Sequence, residues 1–179
     1  DKGHRPARDD TCHTGGDGHP GAGMAWRDGT AGKGACQGVA PKATLYSYGV
    51  GETRVVLYAA EAFQHMLTNY ETFTPRIKVV NNSWGETAGT AYNPDHVLSK
   101  LTRLLVEKGV TMVYAAGNGD ANGVGGTGAD DRLSSTAKDP TPGVITVANY
   151  DDGGVANRNG ALDSSSSRGK QGGPTEYPD

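Results

Sequence analysis

The sequence predicts an α/β fold in which helices flank a mostly parallel central sheet. Short β-branched, apolar runs alternate with segments of helical periodicity. Two of these runs lie in Val79–Gly85 and Met112–Asn118, and both stop abruptly at small or polar residues. This pattern is typical of buried parallel strands whose carboxyl ends open onto a site. Ligands of open α/β sheets bind at those ends. The two segments are therefore predicted to be two walls of one cleft.

The first half of the chain predicts a strand, a helix and a second strand, in that order. The strand covers Ala43–Tyr48 and ends before Gly49, and the second strand covers Ile77–Asn82. Between them, Val55–Tyr70 has the three- and four-residue apolar spacing of a helix with one buried face. The residues predicted for that face are Val56, Ala60, Phe63 and Leu67.

The second half predicts another helix and two more strands. Asn93 is a good N-cap and Pro94 suits the first helical position, while Lys108-Gly109 has the composition of a helix end. The predicted buried stripe consists of Val97, Leu98, Leu101, Leu104 and Leu105. Strands are predicted over Val110–Ala115 and Val144–Asn149, so the order of elements favours parallel strands joined by right-handed crossovers.

Composition limits the classes of partner. The 179 residues include 17 basic and 20 acidic side chains, a net charge of −3, and no basic run that would suit nucleic acid or an anionic membrane. The sequence shows neither a signal peptide nor a transmembrane span, and its start at Asp1 suggests a mature or trimmed chain. The hydrophobic fraction of 35% is low for a self-sufficient domain of this length, which indicates large loops or a missing part of the core. Residues 1–37 form an irregular Gly-rich region.

The two cysteines, Cys12 and Cys36, bracket part of this Gly-rich region. We predict a disulfide between them, which would stabilise the fold by about 3 kcal/mol by restricting the unfolded loop. The alternative is two free thiols of a cytosolic chain.

Five segments resemble, in the same order, the pattern of the subtilisin-like serine proteases, the subtilases. They are Gly38–Ala43, Asn82–Gly85, Ala115–Asn118, Pro142–Ala148 and Ser165–Gly169. The resemblance implies the three-layer subtilase fold and a secreted endopeptidase that hydrolyses peptide bonds with a Ser-His-Asp triad. On this basis residues 1–179 are predicted to be a single, incomplete subtilase catalytic domain.

The resemblance also implies roles for the two strand ends. Asn118 corresponds to the asparagine that stabilises the oxyanion of the transition state. A peptide or protein substrate would pair with the backbone at Ser83–Gly85 and near Gly51-Glu52 as an added strand. The residues predicted to shape the pocket for the substrate side chain are Ser83, Trp84, Gly85, Ala115, Ala116 and Gly117.

The chain departs from the family pattern at the triad. The Gly-Thr-Ser segment that carries the nucleophile is absent from the sequence. Without gaps Pro20 aligns with the catalytic histidine, whereas a two-residue deletion would make His19 the first histidine of the family motif and remove the second. The adjacent His19 and the Asp1 of Asp1-Lys2-Gly3 are the candidates for base and orienting acid. We expect the serine to lie beyond Asp179, in the rest of the same protease chain, and the 179 residues alone to be inactive. The alternatives are a catalytically dead pseudoprotease or peptide-binding module, and a chain recorded with internal gaps.

No cofactor is needed for this chemistry. The pairs Asp130-Asp131 and Asp151-Asp152 lie in glycine-rich surroundings, where hard oxygen ligands suit a structural Ca²⁺. We interpret them instead as solvated loop charges, with Ca²⁺ as the alternative.

Overall fold

The computed structural model describes residues 40, 42–49, 55–85, 89–119, 122, 124–126, 131–151 and 160–169. The chain divides into two compact units, residues 1–48 and 49–179, and every helix and strand given below belongs to the second. The predicted single domain over 1–179 and the irregular region 1–37 stay predictions.

The second unit contains a three-stranded parallel sheet, as the alternation of strands and helices predicted. Its strands are β1 (Val79–Asn82), β2 (Thr111–Ala115) and β3 (Val144–Val147), and they lie in the order β1-β2-β3. Asn82 of β1 is in register with Tyr114 of β2, so the two strands end side by side. The carboxyl ends that were predicted to form one cleft are therefore neighbours in the sheet.

One helix precedes β1 in sequence, and a second lies between β1 and β2. Helix α1 covers Val55–Thr68 and is followed by a 3₁₀ turn at Tyr70–Thr72, and helix α2 covers Val97–Glu107. The two helices pack against each other, and α2 packs against β2. The hydroxyl groups of Thr102 in α2 and Tyr114 in β2 share a buried hydrogen bond of 2.8 Å. Burial raises the pKa of the Tyr114 hydroxyl.

Both predicted helix faces were partly wrong in phase. In α1 the buried residues are Ala59, Ala62, Phe63 and Met66. In α2, Leu98, Leu101 and Leu105 are buried together with Ser99 and Thr102, whereas Val97 and Leu104 are exposed. Thr102 faces β2, where its hydroxyl bonds to that of Tyr114, so the buried face of α2 is rotated from the predicted stripe and leaves Val97 and Leu104 exposed.

The start of α2 also differs from the prediction. Asn93 does not cap the helix: its side-chain oxygen accepts the Asp95 N–H at 2.9 Å, and its carbonyl accepts the His96 N–H at 3.1 Å. These bonds make a turn that precedes the helix, and the helix begins at Val97. Gly109 follows the other end with φ of +82°, as its predicted role after the helix requires.

One face of the sheet is covered by the helices, and the side chains on the other face are exposed. Side chains of Val80, Met112 and Tyr114 point to the helices and are buried. On the opposite face Val79 and Val147 are 59% and 52% exposed. Parallel sheets are ordinarily covered on both faces, so the residues that the structure describes account for one covered face only.

Two segments depart from the predicted strands. Residues 43–48 form no strand, and all of them except Tyr48 are exposed. Because a strand requires a ladder partner, and β1 pairs only with β2 among the described residues, an apolar run in this position is not enough to make one. Beyond β3 an unpredicted antiparallel pair is formed by β4 (Tyr150–Asp151) and β5 (Ala161–Leu162).

None of the helices in the described part of the chain has the length and apolar composition needed to cross a membrane.

Candidate functional site

The end of β1 is fixed by a buried asparagine. Asn82 is 2% exposed, and its side-chain amide donates to the carbonyl of Val113 in β2 at 3.2 Å and to that of Val80 at 3.4 Å. Its neighbour Asn81 is exposed and donates to the Ser83 hydroxyl at 3.0 Å. The strand end is thus attached to β2 at the point where Ser83–Gly85 begins.

Trp84 packs on the helix-covered side of this strand end. Its ring lies 5.9 Å from that of Tyr114, edge to face, and 6.4 Å from that of Phe63 in α1. Edge-to-face pairs at such distances are favourable. The tryptophan is half-buried, so it takes part in core packing and still presents an accessible edge. The role of that edge in a substrate pocket stays a prediction.

The end of β2 places Asn118 between two glycines. Gly117 has φ of +112° and Gly119 has φ of +78°, a region that only glycine adopts readily. A Cβ at Gly117 would lie 2.8 Å from the Ser167 hydroxyl, and one at Gly119 would lie 2.4 Å from the backbone of Val124. Asn118 itself is exposed, and its side chain makes no hydrogen bond to any described residue. The turn therefore presents, on a closely packed backbone, an amide that has no partner among the described residues.

A third segment, residues 134–139, contacts the residues that follow both strand ends. Its first residue, Ser134, donates its N–H to the carbonyl of Ala116 at 3.4 Å. A Cβ on Gly85 would lie 3.0 Å from the Ser134 hydroxyl, so this serine fills the space between the ends of β1 and β2. All six residues are buried although most are polar. Sequence reasoning missed this segment, because its hydropathy resembles that of a surface loop.

Lys138 forms the buried centre of that segment. Its side chain is fully buried, forms an ion pair with Asp131, and donates to the carbonyl of Thr90 at 2.8 Å. Asp131 also accepts the Leu133 N–H at 3.3 Å. Buried charges require partners of this kind, so Asp131 is a structural carboxylate here and not a solvated loop charge.

The serine-rich turn at residues 163–168 supports the end of β2. Asp163 closes the turn by accepting the N–H and the hydroxyl of Ser165 at 2.8 and 2.5 Å. The hydrogen bond from the Ser165 hydroxyl is the main cause that lowers the pKa of Asp163, with the Ser165 N–H and the Arg168 charge acting in the same direction. Arg168 donates from its guanidinium to the carbonyl of Gly126 at 2.9 Å.

Several predicted site residues lie outside the described residues. They include Asp1 and His19, the candidate acid and base, the pair Cys12 and Cys36, and Gly51-Glu52. Of the residues considered for Ca²⁺, Asp130 and Asp152 also lie outside. Within the described part of the chain, no three His, Cys, Asp or Glu side chains are grouped to hold a metal ion. The triad, disulfide and calcium assignments stay predictions.

Comparison with known proteins assigns this fold to a family. The family model described as the subtilase family, Peptidase_S8, matches residues 4–177. No curated protein sequence matches the chain significantly.

Three solved structures with the same fold include two that are titled as proteases. A structure titled S41 psychrophilic protease has a TM-score of 0.61 and 24% identity, and the match covers 84% of this chain and 44% of that one. Sphericase has a TM-score of 0.58 and 25% identity, with 82% and 43% covered. A prenylagaramide maturation protease has a TM-score of 0.53 and 20% identity, with 83% and 46% covered. The chain thus spans less than half the length of these structures.

The match to the family model extends over nearly the whole sequence, and the parallel sheet agrees with the fold of these proteases. The chain belongs to the subtilase family.

Proposed function

We propose that this chain supplies the substrate cleft and the oxyanion asparagine of a subtilisin-like serine endopeptidase. Family membership supports a protease domain. The finer assignment rests on one observation: Asn118 stands exposed on a closely packed turn that follows β2, and the end of β2 lies beside the end of β1. An oxyanion donor needs this combination of a free amide and a fixed backbone.

The chemistry assigned to Asn118 follows from the charge that develops in acyl transfer. When a serine attacks the peptide carbonyl, the carbonyl oxygen becomes an oxyanion, and the Asn118 amide donates a hydrogen bond to it. A histidine takes the serine proton and returns it to the leaving amine, while an aspartate orients the histidine. We propose that the serine comes from the remainder of the protease chain, since the 179 residues contain no Gly-Thr-Ser segment.

The cleft has a composition that favours apolar or broadly chosen substrate side chains. Its walls are Ser83–Gly85 and Ala115–Gly117, which offer an indole ring, methyl groups and backbone but no carboxylate. The substrate is then a peptide or protein in an extended conformation that pairs with the backbone at Ser83–Gly85 and near Gly51-Glu52 as an added strand, with one side chain between the walls. We propose a secreted enzyme, as is typical of subtilases, which requires no cofactor in the chemical step.

The test is covalent labelling of the natural, full-length protein with a fluorophosphonate, followed by intact-mass measurement and a peptide hydrolysis assay. We expect a single adduct on a serine and loss of hydrolysis in proportion to labelling. The matched control is the same protein unfolded before labelling, which should take up no probe. A folded protein that binds peptides without forming the adduct would instead be a pseudoprotease, and the proposal would be wrong.

A further inference from the structure

We propose that Ser167 is the positioning residue for Asn118, an inference that rests on the proposed function. Two hydrogen bonds connect this single residue to both sides of the asparagine. The Ser167 N–H donates to the carbonyl of Gly117 at 2.9 Å, and the Ser167 hydroxyl accepts the N–H of Gly119 at 2.9 Å. Asn118 is therefore the central residue of a three-residue turn, and the residues on both sides of it are hydrogen-bonded to Ser167.

The side chain of Asn118 has no restraint of its own from the described residues. It is exposed and without a hydrogen bond to them, so the position of its amide is set by the backbone of Gly117–Gly119. A Cβ on Gly117 would lie 2.8 Å from the Ser167 hydroxyl, so only glycine lets this backbone pass beside the serine. A donor must stand within tenths of an ångström of its productive place to stabilise an oxyanion. Fixing the backbone is thus the means by which this fold can fix the amide.

Ser167 is itself held in place on its other side. The carbonyl of Gly125 accepts the Arg168 N–H at 2.9 Å, and the Gly125 N–H donates to the carbonyl of Ser164 at 2.9 Å. A Cβ on Gly125 would lie only 1.9 Å from the carbonyl oxygen of Ser166, so the two segments are in direct backbone contact. The serine is buried, at 2% exposure, between the turn that it supports and residues 124–126.

The neighbouring Ser166 provides a matched control. It is equally buried, and its hydroxyl also accepts a backbone N–H, that of Asn149 at 3.0 Å. The two serines therefore lose the same kind of hydrogen bond when changed to alanine. Only the bond of Ser167 is made to the turn that carries Asn118.

The experiment measures kcat and KM of the full-length protease for Ser167→Ala, Ser166→Ala, Asn118→Ala and the double variant Asn118→Ala/Ser167→Ala. We expect Ser167→Ala to lower kcat by about tenfold with KM unchanged, because a small displacement of a catalytic group weakens only the transition state. Ser166→Ala should leave kcat within a factor of about two. In the Asn118→Ala background the effect of Ser167→Ala should disappear, since residues that act as a unit are not additive.

The outcomes separate this inference from the proposed function. If Asn118→Ala lowers kcat but Ser167→Ala equals Ser166→Ala, or retains its full effect in the double variant, the positioning role is wrong and the proposed function stands. If Asn118→Ala leaves kcat unchanged, or the wild-type enzyme hydrolyses no peptide, both fail together. Should Ser167→Ala not fold, Ser167→Cys keeps a side chain of the same connectivity with a larger and weaker acceptor atom, and the same loss of kcat is expected from it.

Discussion

The ends of β1 and β2 lie side by side but are stabilised in different ways. At the end of β1, Trp84 packs its ring against Phe63 and Tyr114, and a single buried amide, that of Asn82, reaches across to β2. At the end of β2, Asn118 is exposed, and the backbone around it is held by hydrogen bonds to Ser167. Packing of the aromatic rings around Trp84 defines the shape of the surface at the end of β1. The hydrogen bonds from Ser167 define the position of the backbone around Asn118. We infer that the first end serves the pocket and the second serves the reaction.

The largest expected effect on the free energy of unfolding comes from Trp84, at the end of β1. Trp84→Ala should lower the free energy of unfolding by about 3 kcal/mol, at the low end for a buried aromatic residue, because the ring is half-exposed. Chemical denaturation of the full-length protein measures this change. Tyr58→Ala on the exposed side of α1 is the control and should cost about 1 kcal/mol or less. Equal losses for the two variants would contradict the packing role of Trp84.

A smaller effect is expected from the amide that joins the two strands. Asn82→Ala removes the donor to the Val113 carbonyl and should lower the free energy of unfolding by about 1–2 kcal/mol. The adjacent Asn81 is exposed, and Asn81→Ala should change the free energy of unfolding by no more than about 0.5 kcal/mol. Thermal or denaturant unfolding of the pair sharpens the comparison, since the two residues differ in burial and not in chemistry. A loss from Asn81→Ala as large as that from Asn82→Ala would show that burial is not the cause.

The smallest effect concerns the turn behind Asn118. The pKa of Asp163 is lowered chiefly by the hydrogen bond from the Ser165 hydroxyl. Its contribution to stability is therefore complete above the ordinary aspartate pKa of about 3.9 and is lost as the pH falls through the lower value of the folded protein. The stability difference between the wild type and Asp163→Asn should be constant from about pH 7 to pH 5 and should narrow below about pH 4. A difference that already narrows between pH 7 and pH 5 would contradict this assignment.

Local patterns in the sequence were sufficient to predict the three strands β1, β2 and β3, their order of appearance and the two strand ends, whereas the strand predicted over Ala43–Tyr48 was wrong. Strand identity follows from β-branched runs, and Gly117-Asn118-Gly119 requires glycine on both sides for reasons of local backbone geometry. The helices were predicted with the right period but an imperfect phase, because Ala59, Ser99 and Thr102 are buried where larger neighbours are not.

Long-range contacts could not be predicted in the same way. Ser167 reaches Gly119 across 48 positions, and Ser134 fills the space beside Gly85 within a segment that reads as a polar loop. The buried ion pair of Lys138 and Asp131 is equally hidden, since charged residues are usually exposed. Such partners become visible only once the fold brings them together.

If the end of β2 acts on the transition state, kcat of Asn118→Ala is the quantity that reports it most directly. We expect kcat to fall by about 10²–10³-fold with KM little changed, the loss known for the oxyanion asparagine of subtilisin. Asn81→Ala, which removes an exposed amide at the neighbouring strand end, should leave both constants unchanged. If Asn118→Ala keeps its kcat, or changes only KM, then Asn118 is a turn or binding residue, and the division of roles between the two strand ends is wrong.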